Sequence, residues 1–333
     1  MAAVAWQARR VAQSDAPPTV RPPEKTSPVR RPSLVAWVCL LIVWVVWGST
    51  YLAIKVGVET MPPLLLAAVR NLVAGVIMFP AAMGARRRAI RAGQLLSRWP
   101  SRKEWLGCAT VGVLLLVANG AVGIGEQTIP SGLAALLVAT VPLWLLGIDA
   151  ALNHARLGLA PMAGLALGLV GVGLLSGLGG GSGRVSATGV IIVLVAAFTW
   201  ALGTIMARRV TLPSSPALAS GIELLCGGVA LLALSAAAGE FGSVHVAHIS
   251  VRSWLALSYL IVFGSIVAFS AYGIAVRALP TATVATYAYV NPVIAVLLGT
   301  LILNERLTPA MFGGGALIVG AVVLVVRRSP PSH

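Results

Sequence analysis

Acidic residues are the scarcest chemistry in this chain. It has 9 Asp and Glu among 333 residues, against 24 Lys and Arg, and charged side chains make up only 10% of it. A water-soluble domain of this size carries about a quarter. With 58% hydrophobic residues, such a surface cannot be kept in water, and the chain belongs in a bilayer. Cysteine is rare too. Cys39, Cys108 and Cys226 all fall in apolar runs, where they pack as small apolar groups and imply no disulfide framework. Of the 4 histidines, His245 and His248 form an isolated pair without further ligands nearby, so no metal site is expected. The sequence holds no P-loop, no HExxH and no Gly-rich dinucleotide fingerprint. ATP drive and the common membrane-enzyme chemistries therefore lack a sequence basis, and no cofactor is expected.

What the chain does have is apolar length. A spanning helix needs about 20 mostly apolar residues. Reading between charge clusters, prolines and glycines predicts ten spans: 34–54, 62–83, 104–123, 130–151, 159–177, 188–207, 216–238, 253–275, 281–303 and 309–326. The first run is too long and too far from the start for a cleaved signal peptide.

A net charge of +15 suggests nucleic acid until its distribution is followed along those spans. With the N-terminus in the cytoplasm, most basic residues fall inside: the tail from Arg9 to Arg31, the cluster from Arg86 to Lys103, and Arg156, Arg208, Arg209, Arg277, Arg327 and Arg328. Lys55, Arg184, Arg252 and Arg306 fall outside, and Arg70 lies within the second span. This is the positive-inside pattern, with both termini cytoplasmic. The excess is topological, and no nucleic-acid partner is expected.

Sliding the chain on itself by ~150 residues aligns features of two halves. Trp47, Tyr51 and Lys55 meet Trp200, Thr204 and Arg208; Pro63 meets Pro216, Arg70 meets Glu223, and Gly75 meets Gly228. Pro130, Pro142 and Gly164 meet Pro280, Pro292 and Gly314. Five spans per unit is an odd number, so the second unit enters the membrane from the opposite side. The expected fold is an all-α integral membrane protein, with ten transmembrane helices as two inverted five-helix repeats. A disordered cytoplasmic tail over 1–33 precedes a first repeat over 34–177, a linker over 178–187, a second repeat over 188–326 and a short cytoplasmic tail over 327–333. Inverted repeats are a recurring plan for carriers, with the substrate site near mid-membrane between the halves.

The segments "WGSTYLAIKVGVETMPPLLLAAVRNLVAG", "EQTIPSGLAALLVATVPLW" and "YAYVNPVIAVLLGTLILNERLTPAMFGGGALIVGAVVL" resemble helices one, two, four, nine and ten of the EamA family, within the drug/metabolite transporter superfamily. The resemblance runs from about residue 34 to 328. It implies ten helices and movement of small organic metabolites, amino acids or drugs across the cytoplasmic membrane, with many members resembling exporters. One departure is plain: the second half has "LNERLTP" with Glu305, whereas the first half carries Ala155 where a glutamate is common.

Several residues stand out as carriers of chemistry. Trp44, Trp47, Tyr51 and Lys55 share one helix face, as do Trp200, Thr204 and Arg208. Such residues either anchor helix ends at the interface or line a cavity. Thr283, Tyr287 and Asn291 form a polar stripe that either hydrogen-bonds between helices or orients a polar substrate. Asn119 and Glu126 share a face of the third span. Glu126 either lies below the headgroups, where it could take a proton or a cationic substrate, or is solvated in the short outer loop. Arg70 and Glu223 are the deepest charges, at matched positions, and a salt bridge between halves would satisfy both, as a fixed strut or as a gating or proton-linked switch. The expected substrate contacts are thus Trp47, Tyr51, Asn119, Trp200, Thr204, Thr283, Tyr287 and Asn291. Glycines at 164, 168 and 171 and at 313–315 and 320 suit close helix packing, within the chain or in a homodimer. The rival to a transporter is a membrane-embedded enzyme acting on a lipid-linked substrate, which would need reactive side chains clustered in one cavity.

Overall fold

The computed structural model describes residues 34–93, 99–153, 159–175, 186–279, 281–284, 286–306 and 308–328. The expected tail over 1–33, most of the linker, Ala155, Arg184, Pro280 and residues 329–333 lie outside them. Among the described residues every regular element is helical. The principal ones are α1 (Leu34–Gly57), α2 (Pro63–Arg91), α3 (Arg102–Glu126), α4 (Ser131–Val138), α5 (Val141–Leu152), α6 (Leu159–Leu175), α7 (Ala187–Arg209) and α8 (Pro216–Ala237). Then come α9 (Val251–Tyr259), a π-helical stretch (Leu260–Val267), α10 (Ala268–Ala278), α11 (Tyr287–Leu303) and α12 (Pro309–Arg328).

Local chemistry starts these helices. Pro63 and Pro216 occupy first turns, where a missing N–H costs nothing. Ser101 and Glu104 form a reciprocal capping box on α3, and Ser186 and Ser250 accept from the first-turn amides of Gly189 and Ser253. Two N-termini are capped from a distance. The Glu240 carboxylate accepts from the amides of Leu64 (3.2 Å) and Leu65 (2.8 Å) at the start of α2. The Glu305 carboxylate accepts from Ser131 (2.8 Å) and Gly132 (3.2 Å) at the start of α4. Carboxylates suit these positions because orphan N–H groups and the helix dipole both favour negative charge.

Seven helical stretches are long and apolar enough to cross a membrane, with α4–α5 and α9–α10 each counting as one. Three shorter apolar helices, at Met162–Leu174, Val290–Leu303 and Pro309–Leu324, fall where spans five, nine and ten were expected. The expectation of ten full spans is met by seven on length and apolarity. Span four breaks at Ala139–Thr140, just ahead of Pro142, and the Thr140 hydroxyl donates to the Leu137 carbonyl (2.6 Å). Span nine breaks between the single turn Thr281–Val284 and α11. The outward faces are oily: Val293, Leu297 and Leu301, one turn apart on α11, are all exposed, as are Leu34, Val38 and Leu41 on α1. That is the surface lipid requires.

Contacts run chiefly between the two halves. α2 lies along α8, α6 along α12 and α4 against α11; α1 packs on α10 and α11, while α7 packs on α3, α4 and α5. Glycines allow the closest approaches. Gly171 abuts the Gly314 carbonyl, so this small-residue seam is filled by the chain's own α12. Where α3 crosses α8, a Cβ at Gly112 would collide with the Glu223 main chain, and one at Gly227 with the Gly112 carbonyl. Backbone cannot yield as a flexible side chain can. Gly112→Ala is therefore expected to lower stability by about 1–3 kcal/mol, read as a fall in melting temperature in detergent.

Candidate functional site

Arg70 has the most demanding position. It is only 4% exposed, and it projects from α2 into the junction of α1, α3 and the π-helical stretch. Nε donates to Ser265 Oγ (3.0 Å) and Nη1 to Asn119 Oδ1 (3.3 Å). A Cβ on Gly264 would stand 3.1 Å from Thr50 Cγ2 and 3.2 Å from Arg70 Nη2, so the absence of a side chain there gives the guanidinium its room. Wide π-turns commonly mark functional sites.

The expected Arg70–Glu223 bridge does not form. Along the α2–α8 contact, Leu72 faces Gly228, Gly75 faces Leu225 and Phe79 faces Gly221. On that antiparallel register Arg70 is level with position 230, and Glu223 with position 77. Matched residues are thus carried to opposite sides of the crossing point, about seven residues or ~10 Å apart along the axis. Glu223 instead lies within electrostatic reach of Cys108 and Cys226.

One turn from Arg70 is a cluster of rings. Trp47 meets Tyr287 edge-on (5.3 Å between centroids), Tyr272 at 5.1 Å and Phe269 at 5.6 Å, and Tyr272 meets Tyr287 at 6.1 Å. Thr50 follows Trp47 by three residues on α1 and donates to its carbonyl (2.6 Å), while Ser265 precedes Phe269 by four. The Arg70 fork and the ring cluster are therefore neighbours along the same two helices.

The other end of the bundle core is built around Glu126. It is the last residue of α3, fully buried at 0% exposure, and neither carboxyl oxygen has a hydrogen-bond partner among the described residues. The solvated-loop alternative is thereby overturned, because the helix continues three residues beyond the expected end of the span. Lys55 Nζ donates to the Glu126 and Ile129 main-chain carbonyls (the latter at 3.0 Å), capping the end of α3. Lys55 and Glu305 are both within electrostatic reach of the Glu126 carboxyl. Tyr51 lies one turn before Lys55 on the same face of α1. Tyr287 meets the Tyr272 ring at 6.1 Å. A file of side chains thus leads from the ring cluster at Trp47 along one face of α1, through Tyr51 to Lys55, and from there to the end of α3 at Glu126.

The remaining expected residues fall around this file. Trp200 packs with Tyr51 on Ala118, Val122 and Ala196. The Thr204 hydroxyl turns back to the Trp200 carbonyl (2.9 Å). Thr283 supplies the carbonyl that receives the Thr286 hydroxyl (2.5 Å) in the span-nine break. Asn291 is buried, and its amide donates at 3.1 Å to the carbonyls of Trp44 and Tyr287, tying α11 to α1. Trp47 with Tyr287, Tyr51 with Trp200, and Arg70 with Asn119 are brought together. Ser265, Phe269 and Tyr272 escaped the sequence reading. The ring spacing of Phe269 and Tyr272, three residues apart, was its visible signal; the π-turn that aims Ser265 was not. Glu240 gave no signal, since the α2 amides it caps lie far off in sequence.

The EamA-like transporter family model matches residues 35–177 and again 187–327. The chain is 40% identical over 288 residues to the "Uncharacterized inner membrane transporter YedA" of Escherichia coli (strain K12), covering 86% of this chain and 89% of that protein. It is 29% identical to a "Probable amino-acid metabolite efflux pump" of the same organism, covering 87% and 94%. A solved crystal structure with 21% identity superposes with TM-score 0.56, covering 87% of this chain and 95% of that one, which supports the fold alone. Two matched halves and a relative at this identity over most of the chain lead to one conclusion: the chain belongs to the EamA-like transporter family.

Proposed function

We propose that this protein is a secondary transporter that moves small organic metabolites, amino acids or drugs across the inner membrane by alternating access, with export as its direction. The observation that carries the reading is the file of aromatic and polar side chains from Tyr272 and Tyr287 through Trp47, Tyr51 and Lys55 to the buried Glu126, in a bundle of two sequence-related halves. In hydrocarbon such a file is costly unless it serves a passage. The name of the efflux-pump relative supports export, and neither relative's name favours the embedded-enzyme alternative.

In this reading ten helices cross the membrane as two inverted repeats, 34–177 and 188–326, with both termini in the cytoplasm. The pairing supports the inversion. Spans two, four and five each meet their own counterpart, whereas span one meets spans eight and nine as span six meets three and four. A two-fold axis between the halves generates that reciprocity, and the antiparallel run of α2 along α8 supports an axis in the membrane plane. Trp47, Tyr51, Asn119, Trp200, Thr204, Thr283, Tyr287 and Asn291 line or brace the path. Glu126 and Glu223 are its proton-linked carboxyls, and Arg70 is its buried cation.

The test is counterflow in proteoliposomes loaded with a panel of amino acids, nucleosides and cationic drugs. Accumulation of labelled substrate, chemically unchanged, is the expected result. Conversion without flux would instead favour an enzyme.

A further inference from the structure

The Arg70 guanidinium is a full positive charge inside an apolar bundle, and its protein partners are neutral. Ser265 Oγ and Asn119 Oδ1 take one N–H each from Nε and Nη1. No carboxylate forms an ion pair with it among the described residues, because the antiparallel register carries Glu223 away. A guanidinium presents five N–H donors in a planar fork. Hydrogen bonds from two of them leave the rest, including both on Nη2, without an acceptor among the described residues. A buried cation in this condition is strongly destabilising unless something anionic joins it. The fold nevertheless makes room for it. The π-turn puts Gly264 where a side chain would crowd Nη2, and Thr50 closes the other side with a methyl group.

On this geometry, and building on the transport reading above, we propose that Arg70 docks the carboxylate of the transported molecule. Asn119 and Ser265 hold the fork in place, and the Trp47–Phe269–Tyr272–Tyr287 ring cluster one turn away receives the apolar part.

Three features fix the class. Arg70 is a buried cation whose hydrogen-bond partners are neutral, so a monoanion balances it, whereas a phosphate monoester, carrying nearly two charges, would bring surplus charge. A planar carboxylate matches the fork, which holds it through paired N–H···O bonds. The adjoining rings are separated from the fork by three residues on α1 and four on the α9–α10 strand of the bundle, ~5–6 Å of helical rise. A short chain between the acid and the apolar group spans that distance. Arg70 thereby becomes a specificity-determining residue, not half of a strut between the repeats.

The test uses the purified full chain in lipid nanodiscs and follows its tryptophan fluorescence, with Trp47 in the ring cluster as reporter. The probes are 3-phenylpropionate, the neutral isostere 3-phenylpropionamide, the amine 2-phenylethylamine and sodium chloride. The acid should give a saturable response, with the amide and the amine weaker by at least about tenfold, since a charge-assisted hydrogen bond is what the neutral form loses. Arg70→Gln should remove the preference for the acid. Arg70→Lys should keep the preference at lower affinity, because an ammonium retains charge but not the fork.

Equal binding of acid and amide, a response to chloride equal to that of the acid, no saturable response to the acid, or unchanged acid affinity in Arg70→Gln would each overturn the proposal. Should Arg70→Gln fail to fold, the acid–amide comparison on the unaltered chain decides alone. Counterflow of any other substrate by a chain that ignores the acid would refute the carboxylate site while leaving the transport reading intact. Absence of all flux would refute transport.

Discussion

Glu126→Gln is expected to fold in normal yield and to exchange substrate across liposomes, yet to lose its response to an imposed pH gradient. The reason lies in what surrounds the carboxyl. It is fully buried, its two oxygens have no hydrogen-bond partner among the described residues, and Lys55 directs two of its three donors to main-chain carbonyls. Were Glu126 half of a settled buried ion pair, removing its charge would cost about 3–5 kcal/mol and folding would suffer. A carboxyl without a hydrogen-bonded partner has no such pair to lose, so the isosteric amide is expected to be tolerated by the fold. What the amide cannot do is gain and lose a proton. Counterflow needs only binding and the swing between states, whereas gradient-driven accumulation needs the charge to change along the cycle. Retained gradient-driven uptake in Glu126→Gln would remove this residue from the coupling step.

The double variant Glu240→Ala with Glu305→Ala is the second large effect. Both carboxylates sit in second-half connections, and both cap first-half helices at the Lys55 end of the bundle, Glu240 on α2 and Glu305 on α4. Ser235 Oγ also donates to Glu240 (2.7 Å). Each cap is worth about 0.5–2 kcal/mol, so the pair biases the two halves towards closure at that end by ~1–4 kcal/mol. The first half cannot reciprocate through a matched glutamate, because Ala155 stands there. Removing both caps should open the Lys55 end. In a background without Cys39, Cys108 and Cys226, a cysteine in place of the buried Ser131 should react with a water-soluble maleimide at least about fivefold faster once the caps are gone, the factor that the lower bound of ~1 kcal/mol gives. An unchanged rate would make the two glutamates helix caps without a role in closure.

What could be read from the sequence follows from the range of the physics involved. Apolar runs, the Pro63 and Pro216 helix starts and the Trp47/Trp200 duplication are local or periodic, and they placed most helix boundaries within a few residues. Features set by packing were hidden. Hydropathy alone could not tell that Glu126 turns into the bundle, for it stands at the border where a helix end and a loop look alike. The Arg70–Glu223 match was real in sequence, but pairing depends on where two helices cross, and that is decided by Gly75, Gly112 and Gly228. The π-turn around Gly264 carries no pattern of its own, and it is what fits Arg70 between α1 and α3.

The central claim is that equivalent helices of the two halves, α1 and α7, run in opposite directions through the membrane. Glu59, exposed just beyond α1, and Ser214, exposed just beyond α7, report on it directly. In a background without native cysteines, a membrane-impermeant maleimide applied to intact cells should label Glu59→Cys at once and Ser214→Cys only after permeabilisation. Labelling of both from the same face would contradict the inverted repeat, and with it the two-sided path on which the transport reading rests.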